Sequence, residues 1–166
     1  SIQSEVICDY SCFQCGDLDI AGFTYLTSFE DPVNNPSFGQ HHYYIAGEEL
    51  SWDSADIFTQ NYNDFYLATF NTNTELDEVL SAINATSTGV FQDFWIGLFQ
   101  NTLSATFSEP DGGWEWVTSE PFIPFGWGGS STEPSNSFGG EDLGAISIDV
   151  IGWNDLAGGE FLYIME

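Results

Sequence analysis

Hydrophobic and polar positions near the start of the chain alternate with the period of a strand. Bulky residues and small or polar residues alternate over Phe23–Phe29, which predicts a β-strand. A loop rich in chain-breaking residues follows at Asp31–Gly39, and His42–Ala46 then predicts the second strand of a hairpin. The chain from Phe23 is therefore expected to open with an antiparallel pair of strands.

Two later segments have the spacing of amphipathic helices. Apolar residues recur on one helical face between Leu50 and Tyr62, and Ser51 is placed to cap the first turn. A short strand is predicted at Phe65–Phe70, after which Asn73 or Thr74 is placed to cap a second helix. The predicted apolar faces are Trp52, Ala55, Ile57, Phe58 and Tyr62 in the first helix and Leu76, Val79, Leu80 and Ile83 in the second, which carries Glu75, Asp77 and Glu78 near its N-terminus.

The second half of the chain predicts strands and loops. The region Pro121–Asp142 is rich in Gly, Ser and Pro, and loops of this length in compact domains are usually functional or disordered. Its aromatic residues Phe122, Phe125 and Trp127 indicate that it is anchored to the core. We therefore predict an α+β domain over 23–166, preceded by a segment over 1–22 that has no clear period. The strands predicted around the long region are Phe94–Phe99, Trp114–Val117, Gly144–Val150 and Phe161–Met165.

The composition is extreme in charge but typical of a folded domain in apolar content. The 166 residues include no Lys or Arg and 26 Asp plus Glu, which gives a formal net charge of −26. Nucleic-acid binding by phosphate neutralisation and adhesion to anionic lipid are excluded, because there is no basic side chain to make either contact. Hydrophobic residues are 42% and aromatic residues 17%, which is enough for a core. Each carboxylate must face water, accept a hydrogen bond from a neutral donor, or bind a cation from solution.

No membrane-spanning or targeting segment is predicted. The sequence has no run of about 18 apolar residues, so we expect no membrane insertion. No basic region precedes an apolar stretch at Ser1, so we expect a processed or leaderless chain that is secreted or displayed at a cell surface. One glycosylation sequon begins at Asn84, at the C-terminal end of the second predicted helix.

Three cysteines, Cys8, Cys12 and Cys15, are clustered in the N-terminal segment. Their spacing suggests zinc, but no fourth Cys or His is near, and closed zinc sites usually have four ligands. A disulfide within the cluster, typical of an extracellular protein, is the preferred interpretation. One thiol is then left over, either for a bond to another chain or as a free thiol.

Oxygen ligands beside turns form the candidate site. Glu133 stands in T-E-P-S-N, Glu141 and Asp142 stand in G-G-E-D, and Asn154 and Asp155 stand in G-W-N-D. Carboxylate and amide oxygens suit calcium, which takes about six to eight oxygen ligands at about 2.3–2.6 Å. A cis peptide bond after Glu133 would aim the flanking oxygens at one point. The alternative is a solvated acidic loop that binds no metal.

Several of these motifs together resemble the C-type lectin-like domain. The resemblance runs from about Phe23 to Glu166, and the motifs stand in family order. The implied fold has two helices flanking small antiparallel sheets, with a long loop region that holds calcium and ligand. The motifs are L-S-W-D-S-A-D and L-A-T-F-N-T-N-T-E-L-D around the two helices, F-W-I-G-L at Phe94–Leu98, W-E-W-V at Trp114–Val117, E-P-S at Glu133–Ser135, G-G-E-D at Gly139–Asp142 and W-N-D at Trp153–Asp155.

The resemblance implies that one set of side chains binds both calcium and sugar. In sugar-binding members of the family, the calcium ligands also form hydrogen bonds with two adjacent sugar hydroxyls, which complete the coordination of the metal. The positions that fall on this principal site are Glu133, Ser135, Glu141, Asn154 and Asp155. Asn136 and Asp142 fall where some members bind an auxiliary calcium.

The chain departs from the family pattern in two respects. Both family disulfides are missing, as in cysteine-poor bacterial members that begin with a G-F-T-Y-L strand and an H-H-Y-Y pair, so stability must come from the aromatic core. Ser135 replaces the usual Asn or Asp, and its hydroxyl cannot both bind calcium and donate to a sugar as an amide does. The family rule that relates this triplet to mannose or galactose therefore does not apply. The disulfide positions are occupied by Thr59, Leu143, Gly158 and Met165.

We expect an extracellular, calcium-dependent carbohydrate-binding module, with Ca²⁺ as its cofactor and a carbohydrate or glycoconjugate as its partner. The alternative is a structural subunit of an extracellular filament, surface layer or adhesin that self-assembles through the 1–22 segment, and the two can coexist. Binding of ice or a calcium mineral is a third possibility. His41 and His42 are interpreted as surface or packing residues, and no His-centred triad has a plausible spacing, so no enzyme is expected.

The odd number of cysteines predicts a reducible link between chains. Purified protein run without reductant should show dimers or a ladder, which collapses to the monomer when reductant is added. A variant with Cys8, Cys12 and Cys15 all changed to Ser should run as the monomer under both conditions. A monomer in both lanes for the unmodified chain would contradict the interchain bond.

Overall fold

A computed structural model describes residues 20–30, 39–62, 65–86, 92–129 and 132–166. The cysteine segment lies outside these described residues, together with most of the Asp31–Gly39 loop. The disulfide, zinc and assembly interpretations of Cys8, Cys12 and Cys15, and the domain boundary after residue 22, therefore stay predictions.

Seven strands form one mixed sheet at the centre of the described residues. Their order is β1-β2-β7-β3-β5-β6, and β4 pairs with β3 outside this path. β3 and β7 run parallel and every other pair is antiparallel, so β7 joins what was expected to be separate antiparallel sheets. The elements are β1 (Phe23–Glu30), β2 (Gln40–Ala46), α1 (Trp52–Thr59), α2 (Asn73–Thr86), β3 (Asp93–Gln100), β4 (Trp114–Trp116), β5 (Leu143–Ser147), β6 (Gly152–Leu156) and β7 (Leu162–Met165).

The hairpin, both helices and the strand carrying F-W-I-G-L are confirmed, but two predictions about strands were wrong. Phe65–Phe70 forms no continuous strand, because its backbone hydrogen bonds are divided between two neighbours: Ala68 N–H donates to the carbonyl of Ile164 and its carbonyl accepts from Gly97. The strand β6 was missed because its Gly, Asn and Asp residues are all depleted in strands. The predicted strand Gly144–Val150 ends early, at Ser147.

The aromatic core is centred on Trp153, whose side chain is fully buried. Its ring packs against Trp116 at a centroid distance of 5.4 Å, edge to face, and against Phe125 at 4.9 Å. Large aromatic rings bury the most apolar area per side chain, so this cluster is a main source of stability in the core. The other rings within contact distance of Trp153 are Phe70, Phe122 and Trp127.

Helix α1 is capped as predicted but is shorter than its pattern suggested. The Ser51 side chain accepts a hydrogen bond from the Ser54 N–H, and Trp52 and Ala55 are buried. The helix ends at Thr59, and Ile57, which was placed on the buried face, is 64% exposed. A hydrogen bond from Trp52 Nε1 to the carbonyl of Ile96 (2.8 Å) fixes the helix on β3.

Helix α2 begins with a capping box that the sequence prediction placed one residue late. The backbone N–H of Glu75 donates to Thr72 Oγ1 (3.2 Å), and the N–H of Thr72 donates back to Glu75 Oε2 (3.3 Å). The cap is therefore Thr72, not Asn73 or Thr74. Glu75 was expected near the positive end of the helix, and it lies there, but it is 1% exposed rather than solvated.

The long loop is held against the sheet by backbone bonds as well as by rings. Trp153 N–H donates to the carbonyl of Gly126 (2.7 Å), and Gly128 N–H donates to the carbonyl of Trp153 (2.9 Å). A Cβ on Gly126 would lie 2.3 Å from the Trp153 ring, so only glycine allows this approach. The expected anchoring of the loop is confirmed. The Glu133–Pro134 peptide bond, for which the sequence analysis considered a cis form, is cis.

The capping box predicts a difference between two threonines of the same helix. Thr72→Ala should lower the free energy of unfolding by about 1 kcal/mol, because the backbone N–H of Glu75 loses its acceptor, Thr72 Oγ1. Thr74→Ala is the matched control, since Thr74 is exposed within the helix and alanine is a better helix former there. Urea unfolding of both variants measures this. If both variants lost the same free energy of unfolding, or if only Thr74→Ala lost any, Thr72 would not be the cap.

Candidate functional site

The candidate calcium ligands come from three elements that meet at one end of the sheet. Glu133, Ser135 and Asn136 lie in the long loop, Glu141 ends that loop just before β5, and Asp155 lies in β6. Strands β5 and β6 are paired, with Gly144 opposite Asp155. The loop and the two strands thus bring together residues that are more than twenty positions apart in sequence.

Asp155 is the side chain that ties the loop to the sheet. It is 2% exposed, and its Oδ1 and Oδ2 accept hydrogen bonds from the backbone N–H groups of Ser135 (2.8 Å) and Asn136 (2.7 Å). Two backbone donors on one buried carboxylate fix both its position and that of the turn after Pro134. The same carboxylate thus shapes the loop that carries the other candidate ligands.

Glu141 is held in a similar way from the other side of the turn. It is 5% exposed, and its Oε2 accepts a hydrogen bond from the backbone N–H of Ser137 (2.5 Å). Its own N–H donates to Asn136 Oδ1 (3.2 Å), and the Ser137 hydroxyl donates to Ser135 Oγ (2.8 Å). Ser135 is therefore part of a hydrogen-bonded turn, whichever cation the loop accepts.

Glu133 completes the acidic group, and one of its two carboxylate oxygens has no hydrogen-bond partner among the described residues. Its Oε2 is buried without a hydrogen-bond partner among the described residues, and so is Oδ1 of Asp142. Burial raises the pKa of Glu133 above its usual value, and a hydrogen bond with Asp155 together with the charges of Asp155 and Glu141 raises it further, against an opposing contact with Ser135. The charges of Asp155 and Glu141 thus act on Glu133, and the chain has no Lys or Arg to offset them.

The structure brings most of the predicted ligands together but leaves the site open. Among the described residues, the one group of three His, Cys, Asp or Glu side chains whose ligand atoms all lie within 4.8 Å of one another lies elsewhere, so the Glu133, Glu141 and Asp155 carboxylates stand wider apart. Asn154 is half-buried in β6, next to Asp155.

Comparison with known proteins gives the fold its name. No family model matches the chain. Mouse lithostathine-1 is 27% identical over 105 residues, which are 63% of this chain and 59% of the length of that relative. The chain thus spans less than two thirds of the curated relatives it matches, and the similarity is too low to establish membership of their family.

Solved structures decide the architecture. The lectin CEL-I from Cucumaria echinata superposes with a TM-score of 0.60 at 19% identity, over 78% of this chain and 93% of that chain. The chain has the C-type lectin-like fold. Human lithostathine (TM-score 0.58, 23% identity, 74% and 81% covered) and a calcium-independent type II antifreeze protein (TM-score 0.57, 19% identity, 89% and 92% covered) share it. These similarities establish the C-type lectin-like fold of the chain and do not identify its ligand.

Two features of the fold were missed by sequence reasoning. Phe138 is 90% exposed in the long loop, close in sequence to Glu141. His41 contacts the side chain of buried Glu166, an interaction that the surface-or-packing interpretation omitted. The only sign of this contact in the sequence was the high number of acidic residues in a chain without Lys or Arg. Glu166 follows β7, far from His41 in sequence.

Two other expectations concern the surface. Asn84 is exposed near the C-terminal end of α2, where a glycan would meet solvent, and its modification stays a prediction. No helix within the described residues is long and apolar enough to cross a membrane.

The raised pKa of Glu133 predicts how its charge affects stability. The folded state holds this proton more tightly than the unfolded chain, so ionisation of Glu133 costs stability as the pH rises above its usual value of 4.5. In EDTA at pH 7, Glu133→Gln should be slightly more stable than the unmodified chain, by less than about 1 kcal/mol at this partly exposed site. The difference should vanish below pH 4.5.

Melting temperatures between pH 4 and pH 8 measure this dependence. Glu49→Gln is the matched control, because Glu49 is exposed in the loop between β2 and α1. If Glu49→Gln increased stability as much as Glu133→Gln does, the cause would be general charge repulsion and not the local environment of Glu133. A loss of stability at Glu133 in EDTA would contradict the unpaired carboxylate.

Proposed function

We propose that the long loop and β6 bind one calcium ion through Glu133, Glu141, Asn154 and Asp155, and that the bound ion captures a carbohydrate. The observation that supports this most is the buried Glu133 Oε2, which lacks a donor and is acted on by the charges of two further carboxylates. A buried anion without a partner is costly, and a divalent cation removes that cost for all three groups together.

The hydrogen bonds already present are compatible with metal binding. A carboxylate has about four lone-pair positions on its two oxygens, so an oxygen that accepts one N–H can still bind a metal. The amides of Ser135 and Asn136 act on Asp155 as outer partners that orient a ligand. In this proposal the amides keep Asp155 in position, and Glu133 and Glu141 move inward to reach the ion.

The sugar step follows from incomplete coordination. Calcium prefers about six to eight oxygen ligands, more than these side chains supply, and vicinal sugar hydroxyls can replace the remaining waters. Ser135 supplies a hydroxyl where an amide usually stands, which removes one donor to the sugar. Phe138, exposed in the same loop and close in sequence to Glu141, offers an apolar ring for the carbon side of a sugar. CEL-I, which shares the fold, is named a C-type lectin, which makes carbohydrate the first ligand class to test.

The proposed module binds its ligand without catalysing a reaction and acts outside the cell. The alternative, a subunit of an extracellular assembly, rests on Cys8, Cys12 and Cys15, which lie outside the described residues. The calcium-independent antifreeze protein of the same fold is the reason to measure metal dependence before ligand identity.

Calcium titration by calorimetry tests the metal half of the proposal. The apo protein, in 0.15 M salt that screens the surface charge, should bind one calcium with heat release or uptake and should unfold at higher temperature. At calcium concentrations about 100 times Kd, the stabilisation should approach 2.7 kcal/mol. Asp155→Ala and Glu133→Gln should lose this effect, and Glu49→Gln should keep it. Absence of both heat and thermal stabilisation at millimolar calcium would contradict the proposal.

Glycan binding in calcium and in EDTA tests the sugar half. We expect the chain to bind a glycan in calcium and not in EDTA. Glu133→Gln should abolish glycan binding, and Phe138→Ala should weaken it. Phe138→Ala should leave the calcium titration unchanged, because the ring is not a ligand. Calcium binding without any glycan would contradict the sugar half and leave the metal half standing.

A further inference from the structure

A second polar cluster lies between α2 and the other end of the sheet, away from the long loop in sequence. It consists of His41 in β2, Glu75 in the first turn of α2 and Glu166 directly after β7. One ligand atom of each residue lies within 4.8 Å of the other two, and His41 Nδ1 contacts Glu166 Oε1. Glu75 is 1% exposed and Glu166 is 7% exposed, while His41 retains 18% of its side-chain exposure.

The two carboxylates are held in place by neutral donors. Glu166 Oε2 accepts from the backbone N–H of Thr69 (3.1 Å), and its Oε1 accepts from the Tyr66 hydroxyl (3.0 Å). Glu75 Oε1 accepts from the Tyr43 hydroxyl (2.5 Å), and Glu75 Oε2 accepts from the backbone N–H of Asn71 (2.7 Å). Hydrogen bonds of this kind orient the carboxylate ligands of metal sites.

The charge of the cluster is not balanced by the protein. Two buried carboxylates face at most one imidazolium, and the chain has no Lys or Arg that could reach them. Burial raises the pKa of Glu75, because desolvation outweighs the hydrogen bonds from Tyr43 and Asn71, and the charge of Glu166 raises it further. The pKa of Tyr43 is also raised, by burial and by these two carboxylates, which keeps its hydroxyl a donor.

We propose that His41, Glu75 and Glu166 bind one divalent transition-metal ion of the zinc class. The three protein ligands are one imidazole nitrogen and two carboxylate oxygens, and the exposed edge of His41 leaves a position open to water. The site does not depend on the calcium function of the long loop, since it shares no residue with that loop.

The donor set favours zinc over calcium. Imidazole nitrogen is a good ligand for zinc and its neighbours in the first transition row, whereas calcium takes oxygen ligands almost exclusively. Zinc is usually four-coordinate, which matches three protein ligands and one water, whereas calcium requires more oxygens than the cluster offers. In the unliganded state His41 and Glu166 contact each other, and the metal replaces that contact with two coordinate bonds.

Zinc titration of the full chain without an affinity tag tests the proposal, with millimolar calcium present to occupy surface carboxylates. We expect one zinc per chain, and visible absorption bands when cobalt is used in its place. His41→Ala should weaken zinc binding at least tenfold and remove the cobalt bands. His42→Ala is the matched control, because His42 is the next residue on β2 and points to the opposite face. It should bind zinc like the unmodified chain.

Two further variants keep the test decisive. Asp155→Ala should retain zinc binding, which separates this site from the loop. Glu166→Gln carries the test if His41→Ala does not fold, because the amide oxygen can still accept from Thr69 while the anionic ligand is lost. The proposal is overturned if the unmodified chain binds no zinc, or if zinc binding is equal in the unmodified chain and in His41→Ala. If no metal is bound, the contact between His41 and Glu166 is a shared proton and the cluster is not a metal site.

Discussion

The structure depends on one constraint: carboxylates are buried in a chain that contains no Lys and no Arg. Each buried acid must therefore be met by neutral donors, and the fold supplies them. Asp155 is held by two backbone amides of the long loop, and Glu75 is held by a tyrosine hydroxyl and by amides at the start of α2. These hydrogen bonds also connect separate elements of the fold, so the buried acids hold those elements together as well as adding negative charge.

Where a buried carboxylate lacks enough neutral donors, the same constraint favours the binding of a cation. Glu133 has a buried oxygen without a donor beside two further carboxylates, and Glu75 and Glu166 share one imidazole between them. The two places differ in chemistry, since one offers only oxygen and the other includes nitrogen. By ligand type, the first place suits a hard ion and the second a borderline ion. The remaining acids at the surface repel one another and raise the local concentration of divalent ions without binding them specifically.

Much of the fold could be predicted from the sequence because its signals are local. The alternation in Phe23–Phe29 and the cap at Ser51 depend on neighbouring residues alone, and the ordered motifs gave the family resemblance. β6 was missed because Asn154 and Asp155 have low strand propensity, and the loop amides that hold Asp155 are about twenty residues away in sequence. The Phe65–Phe70 segment was misassigned because its partners, β7 and β3, are distant in sequence. His41, Glu75 and Glu166 come from three separate elements, and pairing of β2 with β7 in the folded sheet is what brings them together.

The central claim is that buried carboxylates without donors recruit cations from solution. Anomalous scattering from crystals grown with calcium measures this most directly, because it locates the ion among the side chains independently of any ligand. The account predicts a peak bonded to Glu133, Glu141, Asn154 and Asp155, with the Ser135 and Asn136 amides still donating to Asp155. A fully ordered loop with no peak, and with Glu133 Oε2 still lacking a partner at millimolar calcium, would contradict it.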